Sequence, residues 1–136
     1  MKAMIFAAGL GTRLKPMTDT MPKALVPVCG KPLVSHVIEK LEAAGIDGFV
    51  VNVHHFADML EGWLTENRPS VSVSDERECL LETGGAVLHA RPYLEGCGHF
   101  LIHNVDIFSN CDIPWFQSQV REDALGTLLV SERETS

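Results

Sequence analysis

The chain is short of positive charge. Eleven Lys and Arg stand against eighteen Asp and Glu, for a formal net charge of −7. Such a balance disfavours nucleic acid and anionic membrane surfaces, and neither is expected as a partner. The four cysteines, Cys29, Cys79, Cys97 and Cys111, include no Cys-x-x-Cys spacing. With no signal-like N-terminus beside them, they read as reduced thiols of a cytoplasmic protein. No apolar run approaches the length needed to span a bilayer, and the stretch from Ala3 to Ala8 is too short for a signal sequence. There is no internal repeat and no low-complexity linker. What remains is ordinary globular material, 46% hydrophobic and 21% charged over 136 residues, enough for one domain with a real core.

The most informative stretch is Ala7-Ala8-Gly9-Leu10-Gly11-Thr12-Arg13-Leu14, closed by Pro22-Lys23-Ala24-Leu25. It follows the apolar run Met4-Ile5-Phe6, which reads as a buried strand. Gly9 and Gly11 leave consecutive backbone N–H groups open to close approach, Thr12 adds a hydroxyl, and Arg13 and Lys23 supply a forked and a compact cation. Clustered N–H groups with two cations suit a polyphosphate. Two common glycine motifs fail on particular residues. A dinucleotide loop needs a third Gly where Leu14 stands and an acidic residue about 20 positions on; the second apolar strand ends instead in Asn52-Val53-His54. A Walker-type loop needs Gly-Lys-Ser/Thr where Leu14-Lys15-Pro16 stands.

Gly9-Leu10-Gly11-Thr12-Arg13 with Pro22-Lys23 resembles the Gly-x-Gly-x-Arg…Pro-Lys pattern of the sugar-phosphate nucleotidyltransferases. The likeness continues through Ala24 to Leu33, through Glu82-Thr83-Gly84-Gly85 and through the segment around Asp106. It is similar above all to the compact bacterial branch acting on N-acetylmuramate 1-phosphate and related hexose 1-phosphates. The resemblance implies transfer of a nucleotidyl group from an NTP, UTP by preference, to a sugar 1-phosphate with release of pyrophosphate. It covers essentially the whole chain, but only the front part of a family member.

The hydrophobic pattern predicts alternating elements. Apolar residues at helical spacing predict a helix from Pro32 to near Gly45, and Phe49–Val53 predicts a second strand. Phe56, Met59, Leu60, Trp63 and Leu64 mark a second helix, their aromatics read as core. Val71–Ser74 alternates as a third strand. Thr83 is expected to cap a short helix from Gly84 to about Arg91, ended by Pro92. Phe100–Ile102 reads as a fourth strand, Asp112 as the cap of a helix running towards Arg121, and Thr127–Val130 as a fifth strand. This order predicts an α/β, Rossmann-like, doubly wound and mainly parallel sheet, the nucleotide-diphospho-sugar transferase fold by resemblance. In such sheets ligands bind beyond the carboxyl ends of the strands. The glycine loop, Asn52-Val53-His54-His55 and Asn104-Val105-Asp106 should therefore converge.

Arg13 is expected to grip the β- and γ-phosphates through its fork. Ala8, Gly9, Gly11 and Thr12 would line the phosphates with it. Asp106, at a strand end, is a candidate ligand for Mg²⁺, which favours carboxylate and phosphate oxygens. The resemblance gives Lys23 the charge at the reacting centre, puts Thr83, Gly84 and Gly85 near base and ribose, and makes Asn104 a sugar contact. Val105 departs from the family's usual small residue there. His54-His55 offers no third ligand spaced for zinc, and Asp75-Glu76-Arg77-Glu78 reads as a solvated loop. A nucleophile that is already an anion needs no strong general base, in keeping with a site of Gly, Arg, Lys and Asp.

Residues 1–136 are expected to form the N-terminal nucleotide-binding part of such a domain, without its C-terminal sugar-binding part and second metal carboxylate. The alternative is a noncatalytic nucleotide-binding or regulatory module, or a fragment needing a partner chain. Apolar surface left bare in that case would favour self-association.

Overall fold

The computed structural model describes residues 1–134. A central strand, β1 (Lys2–Phe6), is paired on both sides, with β4 (Gly48–Val53) and with β6 (Phe100–Asn104); β5 (Ser72–Asp75) lies outside β4. The order is β5-β4-β1-β6 and every pairing is parallel. A separate two-stranded ribbon is formed by β2 (Pro27–Val28) and β3 (Lys31–Pro32). Its two-residue turn puts Cys29 and Gly30 at φ of 50° and 79°, as a right-twisting hairpin requires.

Period-two alternation sorts the strands' side chains onto two faces. Ala3, Ile5, Phe49, Val51, Val53 and Leu101 face a large core built with α1 (Leu33–Ala43), α2 (Ala57–Asn67) and Ile113 of α5 (Ile113–Ser118). Met4 and Val50 face the other way, towards Ala86 of α3 (Thr83–His89) and Leu94 of α4 (Arg91–Leu94). Helices on both faces of a parallel sheet make the chain doubly wound. Of the two aromatics expected in the core, Trp63 is packed against it, but Phe56 precedes α2 in a left-handed conformation and is exposed, its ring edge-on to His55.

Three further expectations need correction. Thr127–Val130 is not a strand; Leu128 and Val130 are 86% and 79% exposed. A strand exists only through a neighbour's hydrogen bonds, and this segment docks on neither edge of the sheet. Thr83 does not cap α3. It is the first helical residue, and Glu82 holds the cap position without a side-chain bond. Pro92 does not end the helical path either: it lies in the first turn of α4, where a missing N–H does no harm. Asp112 does cap α5, its side chain accepting from the Trp115 N–H at 3.1 Å.

Leu60 is fully buried in the larger core and Leu88 on α3 is 69% exposed. Leu60→Ala should therefore lose about 2–5 kcal/mol of stability by urea unfolding, and Leu88→Ala no more than about 0.5 kcal/mol. His103, on β6, has its pKa held below the ordinary 6.5, chiefly by burial and further by the nearby Lys40 charge, against the opposing Asn104 carbonyl. A depressed base contributes stability that is complete above its unfolded value and is lost as pH falls through the folded one. Thermal melts from pH 7.5 to 5 should show wild-type Tm falling more steeply below about 6.5 than that of His103→Gln; equal slopes would refute this.

Candidate functional site: a glycine loop closed over a lysine

The carboxyl ends of β1, β4 and β6 lie side by side because the strands run parallel in register, Ile5 opposite Val51 and His103. From the end of β1 the chain enters the glycine loop. Gly11 adopts φ +66°, a left-handed conformation that glycine takes without a Cβ penalty. The loop then folds through 3-10 turns at Thr12–Leu14, Met17–Asp19 and Lys23–Leu25. Thr18, buried, donates its hydroxyl to the Gly11 carbonyl at 2.7 Å. The His55 ring donates through Nε2 to the Thr18 carbonyl at 2.8 Å.

This fold-back lays Lys23 across both glycines. A Cβ on Gly9 would lie 2.9 Å from Lys23 Nζ, and one on Gly11 would lie 2.7 Å from Thr18 Cγ2 and 3.0 Å from Lys23 Cβ. Lys23 Nζ in turn stands 3.5 Å from Asp106 Oδ2. The lysine side chain is 17% exposed and the carboxylate 44%, so the pair is open to solvent on the aspartate side. Val105 directs its side chain into the larger core, and its N–H continues the ladder to the Phe6 carbonyl at 3.1 Å. The unusual valine is thus turned away from the site.

The structure therefore brings together Gly9, Gly11, Lys23 and Asp106. Thr12 and Arg13 are exposed on the loop, and Arg13 forms no ion pair among the described residues. Asn104 is exposed at the end of β6, and Thr83, Gly84 and Gly85 are exposed at the start of α3. A shallow groove lined by Leu81, Gly85, Leu88 and Arg91 runs along α3 and α4, but its lining includes neither Lys23 nor Asp106. No cluster of three or more His, Cys, Asp or Glu able to hold a metal occurs among the described residues. His54 and His55 point apart, His54 to the Glu76 carbonyl at 2.6 Å and His55 to Thr18.

Two residues of this region have roles that the sequence alone does not show. Asn52 is buried at the end of β4, and its Oδ1 accepts from the Ala7 and Ala8 N–H groups at 2.6 and 3.1 Å. Glu76, expected with its neighbours in a solvated loop, is only 3% exposed, and its carboxylate accepts from Asn52 Nδ2 and from the Leu81 N–H. The rest of that acidic run is indeed at the surface. There Arg77 joins Asp75, Asp58 and Glu61; its backbone N–H and guanidinium hold the Asp75 carboxyl below the usual carboxylate range. The signal available in sequence was positional: polar residues at the ends of neighbouring strands, Asn52 opposite Ser74 with Glu76 two places on.

The family model described as Nucleotidyl transferase matches residues 2–135, and the chain belongs to that family. It is 47% identical over 109 residues to N-acetylmuramate alpha-1-phosphate uridylyltransferase of Caulobacter vibrioides, which takes in 76% of this chain and 45% of that relative. It is 35% identical over 142 residues to the mannose-1-phosphate guanylyltransferase catalytic subunit beta of Xenopus tropicalis, covering 98% of this chain and 39% of that one. Among solved structures, HddC from Yersinia pseudotuberculosis, complexed with GMP-PN, matches with a TM-score of 0.75 at 32% identity, over 86% of this chain and 52% of that one. The chain thus spans about half or less of the length of these relatives.

The glycines differ in what a methyl group would meet. Gly11→Ala combines the left-handed penalty of about 1–2 kcal/mol with overlap on buried Thr18, whereas Gly9→Ala meets only the mobile end of Lys23. Urea unfolding should show a loss of about 2–4 kcal/mol for the first and less than about 1 kcal/mol for the second. Equal losses would show that Thr18 does not fix the loop.

Proposed function

We propose that residues 1–136 form the N-terminal nucleotide-binding part of a cytoplasmic sugar-1-phosphate nucleotidyltransferase. The observation that carries this reading is the glycine loop closed over Lys23, whose ammonium stands 3.5 Å from Asp106 at the carboxyl end of the sheet. A cation on a glycine loop beside one carboxylate suits a polyphosphate accompanied by a divalent ion.

In the proposed reaction a sugar 1-phosphate oxygen attacks the α-phosphorus of an NTP in line. A new P–O bond forms, the bond to the β-phosphate oxygen breaks, and pyrophosphate leaves with the electron pair. No proton transfer is required at the attacking oxygen, which is already anionic. The N–H groups of the loop from Gly9 to Thr12 would hold the phosphates, Ala8 would line them while its own N–H stays on Asn52, and Arg13 would gather the β- and γ-oxygens through its fork. Lys23 offsets charge at the reacting centre. By the family resemblance Thr83, Gly84 and Gly85, at the start of α3, would serve base and ribose, and Asn104 the sugar.

Asp106 would hold Mg²⁺. The half-exposed carboxylate fits that role, because Mg²⁺ is commonly bound through one or two carboxylates plus substrate phosphates rather than a full protein cage. When bound, the ion would neutralise phosphate charge. UTP is the first choice of nucleotide, supported by the uridylyltransferase relative; the guanylyltransferase relative makes GTP the competitor. Exposed apolar side chains, Leu128 and Val130 among them, support self-association of the chain by itself. No helix among the described residues is long and apolar enough to cross a membrane.

Calorimetric titration with Mg-UTP and Mg-GTP tests the nucleotide assignment. Lys23→Ala and Arg13→Ala should each weaken binding by about 1.5–3 kcal/mol without lowering Tm; unchanged affinity in both would refute the phosphate-loop role. Asp106→Asn keeps the size and removes the charge, so nucleotide affinity should become less dependent on Mg²⁺. Pyrophosphate release from NTP and hexose 1-phosphate panels should be weak or undetectable for the 136-residue chain. Robust turnover would overturn the division of the site.

A further inference from the structure

We propose that Asn52 and Glu76 are positioning residues that lock the phosphate loop to the segment leading into Thr83–Gly85, so that the two halves of the nucleotide site keep one spacing. The inference rests on the nucleotide-binding reading above, but its geometry is independent of any ligand.

Where β1 ends, the Ala7 and Ala8 N–H groups both point at Asn52 Oδ1, at 2.6 and 3.1 Å. Asn52 Nδ2 donates to Glu76 Oε2 at 2.8 Å, and Glu76 Oε1 accepts from the Leu81 N–H at 2.9 Å. Glu76 is fixed along its backbone too, its N–H on the Val53 carbonyl at 2.8 Å and its carbonyl on the His54 ring. Both side chains are buried, so water cannot substitute for a lost partner, and each lost bond leaves a buried group unsatisfied.

The donor and acceptor logic fixes the residue types. Both ends of the bridge present backbone N–H donors, so both ends need an acceptor. An amide supplies one acceptor and one donor. The second link must then accept twice, which a carboxylate does and an amide does not. Glu76→Gln sets a donor against a donor somewhere along the chain, whichever way the two amides are turned. Asn52→Asp sets a carboxylate oxygen against Glu76. The double variant Asn52→Asp/Glu76→Gln reverses the polarity and makes every link again: the carboxylate at 52 accepts from Ala7, Ala8 and the new amide, whose oxygen accepts from Leu81.

The test measures Mg-UTP and Mg-GTP affinity by calorimetry, and amide hydrogen exchange at Ala7, Ala8 and Leu81 by NMR, on the four proteins. Each single variant should weaken nucleotide binding roughly tenfold. Each should also raise exchange at the far end of the bridge, Leu81 in Asn52→Asp and Ala7 and Ala8 in Glu76→Gln. The double variant should return both readouts to near wild type. Lowered Tm with unchanged affinity and no far-end exchange would reduce the pair to a local packing feature and overturn the proposal, as would a double variant no better than its worse parent. If wild type binds no nucleotide, the proposed function fails, while the exchange readout still decides whether the bridge couples the two segments.

Discussion

A lysine occupies the space that side chains at residues 9 and 11 would need. Much of the site follows from that exclusion. Glycine at both positions lets the loop double back, and doubling back sets the ammonium beside the end of β6 without a long insertion. The same fold-back needs the buried Thr18 to hold Gly11 in its left-handed conformation, and His55 to hold Thr18. The contact is therefore made by chain geometry and packing together, and its charge partner, Asp106, comes from the turn after β6, more than eighty residues away in sequence.

Parallel pairing supplies the rest of the convergence. β1 sits between β4 and β6, so the segments leaving those three strands emerge along one edge of the sheet. Each carries polar residues after an apolar run. The topology turns that sequence pattern into spatial proximity, and it does so through backbone hydrogen bonds alone, which are indifferent to the side chains of the loops.

Elements with internal periodicity were legible in the sequence: β1, α1, β4, α2, β5 and β6 fall where the apolar spacing put them, within a residue or three at their ends. The glycine loop with Lys23 was legible because its residue types have few other uses together. What could not be read depended on partners. Thr127–Val130 has strand-like residues but no neighbour. Glu76 carries the commonest surface chemistry, and only its place opposite the end of β4 makes it internal. Thr83 is a good capping residue one position too late. The β2–β3 ribbon is too short to show a period. The roles of Arg13 and Asn104 stay with the family pattern, since neither makes a contact in the structure that would define them.

The two faces of the sheet are unequal in depth. One carries a core drawn from α1, α2, α5 and the ribbon's flanks, and the other little more than Met4, Val50, Ala86, Ala90 and Leu94. Local opening is easier where fewer apolar contacts must be broken, so the leaf of α3 and α4 is expected to open more readily than the layer of α1 and α2. Thr83, Gly84 and Gly85 ride on that leaf, while Gly9, Gly11 and Lys23 are anchored in the deeper half. The bridge from Asn52 through Glu76 to Leu81 therefore weighs most on that thinner side, where few apolar contacts besides it fix the start of α3.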